Sequence, residues 1–303
     1  MKKFGMCVLS LLALSALASA QTTAYVSKTG NDGNPCLQAS PCRTFAGAYA
    51  LYKTDTPLTI IALDSADYSN GSTLTIENTV IDGGAHGAFL SGPNGGPAIY
   101  FAFWATVRNL TIIPGTSAGS SGIGGGGSAL TLDHAAFVAP QGSSSVAVGV
   151  AAFSAARFDF AHVTVTGGTD GFDLAPASPE TTYRVSIADS SVDVASTGIS
   201  VDGGSATIRD SSVLNAVNGL IFKVSGAVTT NAILDHTQIS GNTTGLSVNA
   251  KTTVMMSYCL LSLNSVGVSL SGGTLQSFNN NVFFGNGSDG VAATHGVYGY
   301  GMK

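Results

Sequence analysis

The sequence predicts an all-β protein, a right-handed parallel β-helix solenoid with a short N-terminal capping helix. Three observations lead to this prediction. The first two are an apolar unit that recurs about every two dozen residues and a short motif, beginning with glycine, between the copies of that unit. The third is composition: 39 of 303 residues are glycine, 44% are hydrophobic and only 10% are charged. High apolar content with a low net charge argues against disorder. One elongated domain of short strands and tight turns is therefore expected.

The recurring unit is apolar-x-polar-x-x-apolar, and its copies begin 21 to 28 residues apart. Its first apolar position is occupied by Val107, Leu132, Phe160, Ile187, Ile208, Leu234, Met256 and Phe278, and its second by Ile112, Phe137, Val165, Val192, Val213, Ile239, Leu261 and Phe283. Leucine-rich repeats need regular Leu and Asn positions that are missing here, and a propeller blade needs a period of about 40 residues. A β-sandwich is the remaining alternative.

The second phrase is Gly-apolar-x-apolar. It begins at Gly171, Gly198, Gly245 and Gly267. Alternating inward and outward residues punctuated by turn residues are typical of short strands. Stacked coils pair each interior strand with the coils above and below, which buries one continuous core.

The ends of a solenoid need caps, because terminal coils expose apolar surface and unpaired strand edges. Thr44 is expected to cap a helix that ends near Tyr52. Within it an apolar stripe recurs at helical spacing and would cover the first coil. The stripe consists of Phe45, Ala48, Tyr49 and Tyr52.

Two glycine-rich segments have no repeat pattern. The tail after Gly285, which includes Tyr298 and Tyr300, is expected to cover the C-terminal end loosely. The Gly/Ser-rich stretch 114–128 predicts a flexible loop that leaves the stack.

The first 20 residues have the pattern of a signal peptide. Lys2 and Lys3 precede a short apolar run that ends in Ala-Ser-Ala, which predicts cleavage before Gln21. No later stretch has about 18 unbroken apolar residues, so no membrane span is expected. The predicted division is a signal peptide over 1–20, an N-terminal cap over 21–57, and a β-helix with its tail over 58–303. We expect an exported protein, either extracellular or periplasmic.

Three cysteines remain after this cleavage. Cys36 and Cys42 flank a short gap containing Pro41, and export exposes them to an oxidising compartment. A local disulfide that pins the N-terminal loop is therefore expected. Cys259 falls within a repeat and is expected to be a buried, inert thiol.

Charge argues against nucleic acid as a partner. The formal net charge is −5, and removal of Lys2 and Lys3 leaves ten basic residues against seventeen acidic ones, or −7. The remaining basic residues are spread from Lys28 to Lys303, with no basic stripe visible along the sequence.

Several motifs resemble exported bacterial pectate-lyase-like β-helix proteins, over essentially the whole chain after the signal peptide. Near the N-terminus these are Tyr25-Val26-Ser27 with Gly30-Asn31-Asp32, and Pro41-Cys42-Arg43-Thr44-Phe45. Later matches are Ile81-Asp82-Gly83-Gly84 and Phe278-Asn279-Asn280-Asn281 with Gly285-Asn286. The resemblance implies the fold, but this superfamily includes lyases, hydrolases, epimerases and adhesins, so it does not identify an activity.

No complete catalytic set is recognisable. A polygalacturonase-like hydrolase needs paired carboxylates across the glycosidic bond, and that family's Asn-Thr-Asp and Asp-Asp motifs are missing. A lyase needs a base and a cation near the uronate carboxylate. Asp133-His134 and Asp235-His236 resemble the Asp-His pair of some pectate lyases, but the Arg-rich segment that should follow is missing.

The polar position of the repeat forms a column. It contains Asn109, His134, His162, Asp189, Asp210, His236, Tyr258 and Asn280. We favour a solvated or turn-stabilising ladder over a carbohydrate- or metal-binding stripe. If the column binds a metal, Asp189 and Asp210 are the best candidates, since stacked carboxylates repel unless a cation or hydrogen bonds intervene. Ca²⁺ is the ion considered.

Trp104 has two interpretations, a sugar-stacking platform or, preferred, packing beneath the N-terminal cap. Because a regular repeat lacks a recognisable catalytic set, the leading hypothesis is a secreted, non-catalytic protein that binds polysaccharides or cell-surface glycans. The alternative is a polysaccharide-degrading enzyme, with a lyase favoured over a glycoside hydrolase.

Overall fold

The computed structural model describes residues 22–54, 57–140, 142–152 and 155–290, which fold as a right-handed parallel β-helix. Short strands wind around one buried core, and each pairs in parallel with strands of neighbouring coils. The predicted fold class is confirmed. A β-sandwich, built from antiparallel sheets, does not describe this structure.

Some predictions concern residues outside the described ones. These are the signal peptide 1–20, the cleavage before Gln21, and the end of the tail with Tyr298 and Tyr300. Among the residues that are described, no helix has the length and hydropathy of a membrane-spanning segment.

The strands form three parallel sheets, of eleven, nine and ten strands within the described residues. Sheet 1 contains β1 (Thr22–Val26), β2 (Leu58–Ala62), β4 (Thr79–Asp82), β7 (Trp104–Arg108), β10 (Ala129–Asp133), β13 (Ala156–Ala161), β16 (Tyr183–Ala188), β19 (Gly204–Arg209), β22 (Thr230–Asp235), β25 (Thr252–Ser257) and β28 (Thr274–Ser277). Sheet 2 contains β5 (Ala88–Ser91), β8 (Leu110–Ile113), β11 (Ala136–Val138), β14 (Thr164–Thr166), β17 (Ser191–Asp193), β20 (Ser212–Leu214), β23 (Gln238–Ser240), β26 (Leu260–Ser262) and β29 (Val282–Phe284). Sheet 3 contains β3 (Leu74–Ile76), β6 (Pro97–Phe101), β9 (Ser121–Gly125), β12 (Val146–Ala152), β15 (Asp170–Pro176), β18 (Thr197–Asp202), β21 (Asn218–Lys223), β24 (Thr244–Asn249), β27 (Val266–Ser271) and β30 (Ser288–Gly290).

The two predicted apolar columns line the core. The first column faces inward from sheet 1 and the second from sheet 2, and their members pair in register from coil to coil. The last member of the first column is an exception. Ser277, not Phe278, pairs with Met256, and Phe278 is 37% exposed. The turn of this coil is one residue longer, so the prediction for Phe278 was wrong by one position.

The glycine-led phrase lies in sheet 3, where its glycines stack because neighbouring coils approach closely. A Cβ atom on Gly198 would lie 2.5 Å from the carbonyl oxygen of Gly219 and 2.2 Å from a methyl carbon of Val213. Gly219 begins an additional copy that pattern analysis passed over, Gly219-Leu220-Ile221-Phe222. At Gly198 no larger residue fits without moving the backbone.

The predicted capping helix is present at the N-terminal end. Helix α1 (Phe45–Tyr52) begins after Thr44, whose hydroxyl accepts a hydrogen bond from the Gly47 amide at 2.9 Å. The stripe packs on the core, with Phe45 and Ala48 buried and Tyr49 partly buried. The strand β1, which lies inside the predicted cap, is already the first strand of sheet 1.

The predicted disulfide between Cys36 and Cys42 is present. It closes a loop that is tied to β1, since the Cys42 amide donates to the Tyr25 carbonyl at 3.0 Å. The carboxylate of Asp32 accepts hydrogen bonds from the amides of Arg43 and Thr44, both at 2.8 Å. The loop and the start of the helix are thereby joined to the first coil.

The prediction of a flexible loop over 114–128 was wrong. Its residues 121–125 form β9, which pairs with both neighbouring strands of sheet 3. Glycine is needed there for close approach rather than for flexibility, because a Cβ on Gly122 would lie 2.5 Å from the Phe137 ring. At Gly125, φ is +130°, and a Cβ would lie 2.3 Å from the Phe101 carbonyl oxygen.

An asparagine ladder, buried at its first two members, joins sheets 2 and 3 in the C-terminal coils. Its members are Asn242, Asn264 and Asn286, one per coil. The Asn264 side chain accepts from the Asn242 amide at 2.9 Å and donates to the Ile239 carbonyl at 3.0 Å. Asn264 also donates to Asn286 Oδ1 at 3.1 Å, so its side chain bonds to the coils on both sides and satisfies the buried Asn242 amide.

Replacement of Asn264 by Ala should destabilise the protein by about 2–4 kcal/mol, because buried backbone partners lose their hydrogen bonds. The measurement is the urea unfolding midpoint, with far-UV circular dichroism as the probe. Asn231→Ala is the matched control, since this exposed strand residue should change stability by less than about 0.5 kcal/mol. Equal midpoints for the two variants would contradict the structural role of the ladder.

Candidate functional site

The predicted polar column lies at the turn between sheets 1 and 2, and its backbone is left-handed. Seven of its eight members have positive φ: Asn109 (54°), His134 (51°), His162 (53°), Asp189 (49°), Asp210 (50°), His236 (47°) and Tyr258 (50°). Asn, Asp and His are enriched in this conformation. The column is thus first a set of turn residues.

The turn brings three predicted site residues together: Asp133, His134 and His162. Asp133 Oδ1 lies 2.8 Å from His134 Nδ1 and 3.0 Å from His162 Nδ1. The two imidazoles stack, with ring centroids 4.3 Å apart. Partial burial raises the pKa of Asp133. The hydrogen bond from His162 and the charge and hydrogen bond of His134 lower it by more, so the pKa of Asp133 lies below its ordinary value.

A second copy of this arrangement lies four coils further on. His236 Nδ1 is 3.0 Å from Asp235 Oδ1, and the imidazole stacks on the Tyr258 ring at 4.7 Å. The copy therefore has the carboxylate and one imidazole, with a phenol where the first site has its second histidine.

The predicted metal pair, Asp189 and Asp210, occupies successive coils of the same column, and both line an open surface depression of about 600 Å³ with His236. Arg209 Nη1 lies 3.1 Å from Asp210 Oδ2 and offsets part of the repulsion between the carboxylates. No group of three potential metal ligands includes either aspartate among the described residues. A Ca²⁺ site at this pair stays a prediction.

Trp104 starts strand β7, where it is partly exposed on the outer face of sheet 1. The register of the sheet continues from it through Ala129 to Arg157 and Arg184, on successive coils. Arg157 donates to Asp159 at 2.6 Å, whereas Arg184 has no ion pair within the described part of the chain. We name this row of four residues the Trp-Arg row.

Four of the five arginines lie on the outer face of sheet 1, a grouping that sequence analysis missed. They are Arg108, Arg157, Arg184 and Arg209. Their separation along the chain hides the grouping, and only the strand register could have shown it. Arg157, Arg184 and Ser205 line a depression of about 510 Å³ on this face.

Cys259 is a buried free thiol, as predicted. Burial raises its pKa above the ordinary value, which disfavours the reactive thiolate.

The fold has known relatives. A family profile described as "Right handed beta helix region" matches residues 178–299. The solved structure of pectate lyase Pel9A is similar with a TM-score of 0.56 and 12% identity, covering 89% of this chain and 78% of that one. No curated protein matches the sequence.

Two further solved structures align more loosely. They are an Aspergillus niger pectin methylesterase (TM-score 0.39, 13% identity, 95% of this chain and 92% of that one) and a rhamnogalacturonan lyase (TM-score 0.31, 12% identity, 88% and 69%). At these identities the likeness to solved structures shows the fold alone.

The left-handed turn makes a prediction at Asp210. Asp210→Val should destabilise the protein by about 1–2 kcal/mol more than Asp210→Asn, because a β-branched residue is strained at positive φ and Asn is not. Both variants lose the charge of the carboxylate and its ion pair with Arg209, so the difference reports mainly the backbone. It is measured as the difference in urea unfolding free energy, and indistinguishable values would rule out the turn constraint.

Proposed function

We propose that this protein is an exported polysaccharide-binding β-helix whose ligand is an acidic, uronate-containing glycan lying across the outer face of sheet 1. The observation that carries this proposal is the Trp-Arg row, in which two guanidinium groups and an indole occupy equivalent positions on nearby coils.

The arginines suit carboxylate recognition. Arg157 and Arg184 pair in register on adjacent strands, so their backbones are about 4.8 Å apart. A guanidinium holds a carboxylate through two parallel hydrogen bonds, a geometry that lysine cannot reproduce. Arg184 is exposed and without an ion pair in the described region, so its donors are available to a ligand.

Trp104 supplies a flat apolar surface at the other end of the row. Three strand spacings separate it from Arg184, which is about 14 Å. The small side chain of Ala129 leaves the space between the indole and Arg157 open. A sugar ring stacked on the indole would place later residues of the same glycan over the arginines.

The proposal is tested by titrating the purified protein with polygalacturonate and with a neutral glucan. Arg157→Ala/Arg184→Ala should weaken polygalacturonate binding by roughly tenfold, since charge-assisted hydrogen bonds are lost. The native affinity should also fall with added salt, because exposed charges are screened.

Lys28→Ala is the control, because it removes an exposed cation near the N-terminal end of the structure and should leave binding unchanged. Equal binding by the double arginine variant, or equal affinity for the neutral glucan, would refute the proposed site. New unsaturated ends in the incubated polygalacturonate would instead favour the lyase alternative.

Export is supported by the Cys36–Cys42 disulfide, which suits an oxidising compartment. Expression of the full chain in a bacterial host should yield a protein outside the cytoplasm whose N-terminal residue is Gln21. N-terminal sequencing checks this, and a cytoplasmic protein that retains Met1 or Lys2 would contradict it.

A further inference from the structure

We propose that Asp133, His134 and His162 form a binding site for a divalent transition-metal ion of the zinc class. This group lies on the αL turn between sheets 1 and 2, separate from the Trp-Arg row and from the aspartate pair. One ligand atom from each residue can be chosen so that all three lie within 4.8 Å of one another.

The donor set fits this class of ion. Two imidazole nitrogens with one carboxylate oxygen suit zinc and its neighbours, whereas Ca²⁺ and Mg²⁺ prefer all-oxygen sites. Three protein ligands would leave a fourth position for water, as in zinc sites that are open to solvent. All three side chains are about half exposed, so an ion can reach them directly.

The ligands are held in place before an ion arrives. His134 and His162 occupy αL positions of adjacent coils, and their amides donate to the carbonyls of Ala161 and Ala188, both at 3.2 Å. Stacking fixes the two rings against each other. Arg108 lies next to Asp133 on the preceding strand of sheet 1, but its Nε donates to Asp82 Oδ2 at 2.8 Å. The Arg108 guanidinium is therefore paired with Asp82.

Binding would replace two hydrogen bonds by metal bonds. An ionised carboxylate only accepts, so each Nδ1 that contacts Asp133 carries the hydrogen. When Nδ1 of a neutral ring binds the ion, that hydrogen moves to Nε2 of the same ring, and Asp133 Oδ1 is freed to bind the metal.

The protein contains its own comparison site. Asp235 and His236 repeat the Asp-His pair at an equivalent turn, and Tyr258 occupies the position equivalent to His162. The backbone of Tyr258 has φ of +50° against +53° at His162. Each residue can therefore replace the other without a new demand on the turn.

The test uses isothermal titration of tag-free protein with ZnCl2 in excess Mg²⁺, with Co²⁺ absorption spectra as a second readout. The native chain should bind one equivalent. His162→Tyr should weaken this binding by roughly tenfold or more, since loss even of an outer-shell partner of a metal ligand typically costs 10–100-fold. Tyr258→His should add a second equivalent at the other turn.

Circular dichroism and the unfolding midpoint establish that both variants fold. No zinc binding by the native chain, or undiminished binding by His162→Tyr, would overturn the proposal. A Tyr258→His chain that still binds one equivalent would show that a carboxylate and two imidazoles on this turn are not sufficient, which also overturns it. None of these variants alters Trp104, Arg157 or Arg184, so the outcome is independent of polysaccharide binding.

Discussion

The structure depends on strand pairing between consecutive coils. Each interior strand both donates hydrogen bonds to and accepts them from the coils before and after it. A coil therefore cannot shift by one residue without turning its apolar side chains outward. Val213 pairs with Val192 before it and Ile239 after it, and all three are buried. Backbone amides and carbonyls that strand pairing leaves over are hydrogen-bonded within turns and loops and by the asparagine ladder.

The same register creates the surface features. Residues that are 20 to 30 positions apart in the chain occupy equivalent places about one strand spacing apart. His134 and His162 stack for this reason, and so do His236 and Tyr258. Arg157 and Arg184 are neighbours on the outer face for the same reason. Outward side chains of successive coils are thus arranged in rows along the solenoid.

The left-handed turn explains why polar residues recur beside sheet 1 without any need for catalysis. Short polar side chains tolerate positive φ, and an exposed turn leaves them in solvent. Any binding role of these turn residues is therefore additional to the backbone conformation that already favours polar side chains there. Among the residues that the structure describes, the column contributes to a group of three potential metal ligands only at His134 and His162, together with Asp133.

Pattern analysis succeeded where a residue's local role decides its type. The two core-facing columns are apolar in all coils but the last of sheet 1, where Ser277 replaces an apolar residue, so the repeat predicted the β-helix. Helix spacing with a capping Thr44 predicted α1. It failed where packing against a neighbouring coil, or the length of a turn, decides where a residue lies. Glycine at 122 and 125 permits close packing rather than flexibility, and Phe278 is displaced because its turn has one residue more.

The sequence alone therefore determined the solenoid, its period, the cap, the disulfide pair and the polar column, because each follows from periodicity or short-range spacing. Only the tertiary structure decided which polar residues act together. It placed Asp133 between two histidines, offset Asp210 with Arg209, and aligned Trp104 with two arginines. The physical reason is that coil lengths vary from 21 to 28 residues, so the alignment of outward side chains is set by the hydrogen-bonded register between coils and not by distance along the chain.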